Sequence, residues 1–213
     1  MIQIFKYIGV YLQLITFVLS LIYLFKYRHT PMKIMPIYLG VVALTELYCS
    51  NFYQINNVWI YNILNWFQIN MCMLIFVQYL KNLELKIGKI LILLFNIFYI
   101  STFFIGLNDF WGETSSFGYV AGMIILFYFL FMVFKQMLEI ENMKSLTYNL
   151  LFWYAFSLLL FNTTSLPLFS ISNWGNILGE FRFSIFYVLF FALVLSHLVL
   201  ITGFVWSKKK FTY

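Results

Sequence analysis

Seven apolar runs, each close to the length a helix needs to cross a bilayer, follow one another along this chain with only short polar breaks between them. A hydrocarbon core of roughly 30 Å takes about 20 residues at 1.5 Å each. The runs are Tyr7 to Phe25, Met35 to Tyr53, Val58 to Leu80, Ile87 to Leu107, Phe117 to Phe134, Tyr148 to Phe169 and Phe183 to Val205. They are apolar on every side and lack the alternation of a barrel wall, which predicts helices. Composition agrees: at 63% hydrophobic, 9% charged and a mean hydropathy of +0.90, the chain has too little polar surface for a soluble domain. The expected fold is all-α, a polytopic seven-helix transmembrane bundle forming one domain over residues 1–213.

The basic residues set the expected orientation. Of the 13 Lys and Arg, all but Lys6 and Arg182 fall in every second break. Lys26, Arg28 and Lys33 follow helix 1, and Lys81, Lys86 and Lys89 follow helix 3. Lys135 and Lys144 follow helix 5, and Lys208, Lys209 and Lys210 follow helix 7. Short loops obey the positive-inside rule, so the N-terminus is expected outside and the C-terminus in the cytoplasm of a bacterial inner membrane. Six or eight helices would scatter these charges over both faces. Lys6 ahead of an apolar run resembles a signal peptide, but no small-residue cleavage site follows, which favours a retained helix. Trp59, Trp111 and Trp174 fall at predicted outer ends and Trp206 at the last inner end, where indole meets headgroups.

Reactive chemistry has little to build on. The only Asp, Asp109, lies in an outer loop, which excludes an intramembrane aspartyl pair. With His29 and His197 as the only histidines and no H-e-x-x-H pattern, no metal site or other cofactor is expected. No glycine-flanked serine supports a Ser157 and His197 protease, and helix 7 has no Lys for a retinal Schiff base. No enzyme is expected. Cys49 and Cys72 differ in depth by roughly 15 Å, beyond disulfide reach, and are expected as buried thiols.

What the helices do contain is a set of polar side chains that can be ordered by depth. Glu46, seven residues from the outer end of helix 2, lies roughly 10 Å down, and Asn65 and Asn162 reach about the same level. Asn62 and Thr163 lie nearby, and Gln68, Asn96, Ser157 and His197 lie deeper. An ionised carboxylate at mid-membrane costs about 3 kcal/mol or more, so Glu46 is expected to face the bundle interior. The functional reading makes these residues a binding cavity or pathway, with Glu46 as proton or cation site and His197 as relay. The structural reading makes the amides a clasp between helices, each bond contributing about 0.6 to 2 kcal/mol.

Three further features carry two readings each. Pro167 follows Asn162, Thr163, Thr164 and Ser165 and frees a carbonyl one turn earlier, so helix 6 is expected to break there or to be braced by those hydroxyls. Gly118 and Gly122 form G-x-x-x-G, which seats a helix within the chain or between subunits of a homo-oligomer. Lys208, Lys209 and Lys210 anchor the last helix to anionic lipid or hold an acidic cytoplasmic partner. Direct nucleic-acid binding is not expected, because topology already accounts for most of the charge.

Pro36-Ile37-Tyr38-Leu39, Glu46 and Asn57-Val58-Trp59-Ile60-Tyr61-Asn62 resemble a pattern in uncharacterised small polytopic proteins of Bacteroidota. The resemblance covers mainly residues 36 to 70. In that group an acid often stands where this chain has Gln68, so a two-acid site is not implied here. In size and character the chain is also similar to membrane accessories encoded beside RNA-targeting CRISPR effectors, which implies a role in antiviral defence. Its topology resembles the sugar transporters built as two three-helix halves around a linker helix, although the Pro-Gln motif of that superfamily is absent.

Three functions follow as expectations. The first is a non-enzymatic sensor or accessory module coupled to a cytoplasmic protein. The second is a small transporter or channel using Glu46 and helix 6. The third is an oligomeric pore-forming defence effector.

Overall fold

The computed structural model describes residues 2–51, 57–140, 146–172 and 182–208, and every regular element among them is helical. Helix α1 spans Ile2–Ile22, the short α2 Leu24–Tyr27, and a 3-10 turn Pro31–Ile34 leads into α3, Met35–Asn51. Then come α4 (Val58–Val77), α5 (Asn82–Phe104), α6 (Ser116–Ile140), α7 (Leu150–Ser172) and α8 (Arg182–Trp206). Among the described residues six helices, α3 to α8, are long and apolar enough to cross a membrane. Their outward faces carry large bare side chains such as Ile97, Phe104, Phe131 and Phe191, surface that lipid solvates and water does not. The chain is a multi-pass membrane protein.

Several boundaries differ from the apolar runs. Helix α1 starts at Ile2, α4 stops at Val77, α5 begins at Asn82, and α6 continues past Phe134 to Ile140. A charge ends an apolar run without ending a helix, because headgroups and water solvate it there. The continuation of α6 is held by polar contacts: Lys135 Nζ lies 3.5 Å from Glu84 Oε1, and Gln136 donates to Glu84 Oε2. Helix α5 stops just before Gly106, whose φ of +72° is left-handed and suits glycine.

Six helices close into a ring. Helix α1 packs on α3, α3 on α4, α4 on α6, α6 on α7, α7 on α8, and α8 returns to α1. Helix α5 lies outside the ring, against α4 and α6. Close approach depends on absent side chains: a Cβ on Gly203 of α8 would overlap Trp153 of α7. The G-x-x-x-G is used in the same way, since a Cβ on Gly118 would lie 2.5 Å from the Tyr99 ring and one on Gly122 2.7 Å from Ile69. Both glycines therefore face α5 and α4 of their own chain.

A cluster of fully buried side chains lies at one end of the ring. Tyr27, Met35, Phe76, Leu150, Tyr154 and Phe204 are at most 1% exposed, with Phe76 and Tyr154 ring centroids 5.4 Å apart. Basic residues gather at this end. Lys26 Nζ donates to the carbonyls of Phe204 (2.8 Å), Val205 (3.0 Å) and Ser207 (2.9 Å), satisfying acceptors that the last turn of α8 cannot pair internally. The Lys208 amide donates to the Tyr148 carbonyl at 3.0 Å, and its ammonium stands 4.0 Å from the Tyr148 ring centre. At the opposite end Trp59 and Trp111 meet with centroids 5.9 Å apart. Lys144, Trp174, Lys209 and Lys210 lie outside the described residues.

Candidate functional site

A cavity of about 470 Å³ sits inside the ring. All six ring helices line it and α5 does not. Helical spacing explains which residues reach it: Leu39, Val42 and Glu46 share one face of α3, and Asn65, Gln68, Ile69 and Cys72 share one face of α4. Asn162 and Ser157 enter from α7, and Ser196 and His197 from α8. Glu46, Asn65, Gln68, Asn162 and His197, drawn from four helices, thus converge on one space. Its volume falls within the roughly 300–1,000 Å³ usual for small-molecule sites.

The polar groups are held in defined ways. The Tyr61 hydroxyl donates to Glu46 Oε2 at 3.1 Å, fixing the carboxylate from α4. His197 Nδ1 lies 3.0 Å from Thr16 Oγ1, and that hydroxyl already donates its proton to the Leu12 carbonyl at 2.7 Å. Thr16 can therefore only accept from the imidazole. The neutral ring must be the Nδ1–H tautomer, which leaves Nε2 as an acceptor. Deeper in, the Tyr154 hydroxyl donates to Cys72 Sγ at 3.2 Å. Cys49 and Cys72 are both buried thiols and do not form a disulfide with each other.

Two amides are left over. Gln13 Oε1 of α1 and Asn162 Nδ2 of α7 line this region with no hydrogen-bond partner among the described residues, although the two residues are only 8% and 3% exposed. A buried polar atom without a partner costs about 1–3 kcal/mol, so such atoms mark places where a ligand or water completes the structure. Among the described residues no Lys or Arg lines the cavity. Among the described residues no three His, Cys, Asp or Glu come close enough to hold a metal ion.

The floor is closed toward the Lys-rich end. Leu39, Cys72, Leu126, Tyr154 and Leu200 form it, and Met73, Phe76, Phe129 and Phe204, all 0% exposed, pack beneath. The rest of the lining runs toward the end that carries Trp59 and Trp111.

Not every residue singled out in the sequence belongs here. Asn62 is a clasp: its Nδ2 donates to the carbonyls of Phe110 (2.9 Å) and Glu113 (3.0 Å), and its Oδ1 accepts from the Ser115 amide at 2.8 Å. It pins the α5–α6 connection and does not line the cavity. Asn96 is a second clasp, accepting from Trp66 Nε1 at 2.7 Å and donating to Asn70 Oδ1 at 2.8 Å between α4 and α5. Thr163 is exposed, its hydroxyl turned back to Leu159 and Leu160. Helix α7 does not break at Pro167 but continues to Ser172. Thr164 and Ser165 brace the turn before the proline by donating to the Leu160 and Phe161 carbonyls.

Comparison of the chain with protein-family models, with curated proteins and with solved structures finds no match. Function must be read from the cavity itself. Gln13, Thr16 and Tyr61 are the members that depth counting passed over. Gln13 had a signal: six residues past Tyr7, it lies at about 9 Å, close to the level of Glu46.

Proposed function

We propose that this chain is a seven-pass protein of a bacterial inner membrane that binds a small solute in the ring cavity and reports its presence to a cytoplasmic partner. Helix α1 supplies the seventh pass, since its 21 residues extend about 31 Å. With the Lys-rich end in the cytoplasm, the cavity occupies the outer half of the bundle and its floor faces inward. The observation that carries the reading is the convergence of Glu46, Asn65, Gln68, Asn162 and His197 on one space that ends on a packed floor. A site entered from one side and shared by six helices turns occupancy into a change in helix packing. At the inner end, Lys26 and Lys208 bind the last turn of α8 to its neighbours, so a shift of α8 would alter the surface a partner reads. An accessory role in antiviral defence is one setting for such a module.

Transport is the second reading, favoured by the proline inside α7, where a missing backbone hydrogen bond lets a helix bend. Purified protein in liposomes separates the two. A sensor shows saturable solute binding from the outer face, lost in Glu46→Gln, with no protein-dependent uptake; uptake lost in the same variant establishes transport. Absence of both binding and uptake across a broad solute mixture would contradict either reading. Single cysteines introduced into the loops and labelled from one side test the orientation.

A further inference from the structure

Among the described residues four carboxamides line the ring cavity, and from them we infer that its ligand is itself a carboxamide, a compact and largely apolar solute with one amide or lactam edge. The inference rests on the reading of the cavity as a solute site and adds the ligand's chemical class.

Gln13 comes from α1, Asn65 and Gln68 share one face of α4, and Asn162 comes from α7. Gln13 Oε1 and Asn162 Nδ2 are buried without a hydrogen-bond partner among the described residues, and no side-chain hydrogen bond among them holds Asn65 or Gln68. Outside the cavity amides are put to use. Asn62 pins the α5–α6 connection, Asn96 and Asn70 join α5 to α4, and Gln136 donates to Glu84. The four cavity amides, from three helices, have no such role. Polar groups taken out of water without a protein partner are completed by what enters the space they line.

The two unpaired buried atoms have opposite roles, since Gln13 presents an acceptor and Asn162 a donor. A ligand that completes both brings a donor and an acceptor of its own. A primary amide or a lactam carries N–H and C=O side by side, and against a side-chain carboxamide it closes two nearly straight hydrogen bonds. A ketone or an ether only accepts, and a hydroxyl meets the same pair through one oxygen with bent bonds. A side-chain carboxamide that turns about its last bond exchanges oxygen for nitrogen, so each of the four can present the complementary edge.

The walls set the rest of the ligand. Tyr38, Tyr119, Phe161, Phe169 and Phe190 contribute aromatic rings, which pack against a flat or apolar body. The volume of about 470 Å³ accommodates an amide on a single ring.

The test is a binding panel on the intact protein in nanodiscs, with empty nanodiscs subtracted because the compounds enter lipid. Benzamide, phenylacetamide and valerolactam are each compared with the ketone of the same shape (acetophenone, phenylacetone and cyclohexanone) and with benzyl alcohol, phenylethanol and cyclohexanol. At least one amide should bind about tenfold or more tightly than its ketone and its alcohol, the size of one hydrogen bond to a group otherwise left unpaired. Gln13→Leu or Asn162→Leu should erase that preference while leaving the weaker binding of the ketone intact, which also reports that the variant is folded. Ketones or alcohols that bind as tightly as the amides, or a preference that survives in both variants, overturn the assignment and leave the cavity as a solute site. Binding by none of the compounds also overturns the carboxamide class, and the solute site falls with it only if the broad solute mixture fails to bind as well.

Discussion

His197 Nδ1 of α8 lies 3.0 Å from Thr16 Oγ1 of α1, closing the ring where its last helix meets its first. The pairing fixes the protonated nitrogen, because the Thr16 hydroxyl proton is committed to Leu12 at 2.7 Å. Side-chain nitrogen NMR in a His29→Gln background should show His197 protonated at Nδ1 and bare at Nε2. Thr16→Val should mix the tautomers, and Thr16→Ser should restore the Nδ1–H form. An Nε2–H signal in the unaltered protein would contradict this pairing.

The unpartnered carbonyl of Gln13 predicts opposing effects on stability and function. Gln13→Leu removes a buried acceptor and should raise the unfolding free energy of the ligand-free protein by about 1 kcal/mol. The same variant should lose most of the stabilisation that a bound ligand supplies. Thermal melts with and without ligand give both quantities, and a destabilised variant with normal ligand response would contradict the assignment.

Asn62 should behave as a structural residue. Asn62→Leu strands the Ser115 amide and two carbonyls, so a loss of about 2 kcal/mol or more is expected. Ligand affinity of the protein that remains folded should be unchanged, as read from titrations well below the melting temperature.

Gly122 distinguishes packing within the chain from packing between chains. Gly122→Leu forces a side chain into Ile69 and Phe95 and should destabilise the fold by about 1–3 kcal/mol without changing the mass of the assembled species. A well-folded variant that loses a dimer would place the G-x-x-x-G at a subunit interface instead.

The helices were legible because lipid leaves a backbone few options: the apolar runs located α3 to α8 to within a few residues. Their ends were not, since Lys135 and Glu84 mark where the apolar run stops and the helices carry on through the headgroup layer. Depth counting put Glu46, Asn65 and Asn162 at one level, and all three line the cavity. Depth says nothing of azimuth, however, so Asn62 and Asn65, three residues apart, looked equivalent although one clasps a loop and the other lines the cavity. Gln13 shared the depth of Glu46 but became meaningful only once α1 was seen beside α3 and α8. Which helices are neighbours is set by packing across the ring, and local sequence does not carry it.

The central claim is that the middle of the ring admits solute. Ser157→Cys, in a background of Cys49→Ala and Cys72→Ser, adds a thiol at a buried residue of the cavity lining. Its rate of modification by methanethiosulfonate ethylammonium, a small cationic thiol reagent, measures access directly. The expected result is modification in folded protein, slowed by a solute that binds the cavity. A thiol that stays unmodified until the protein unfolds would mean a dry core and would contradict the account.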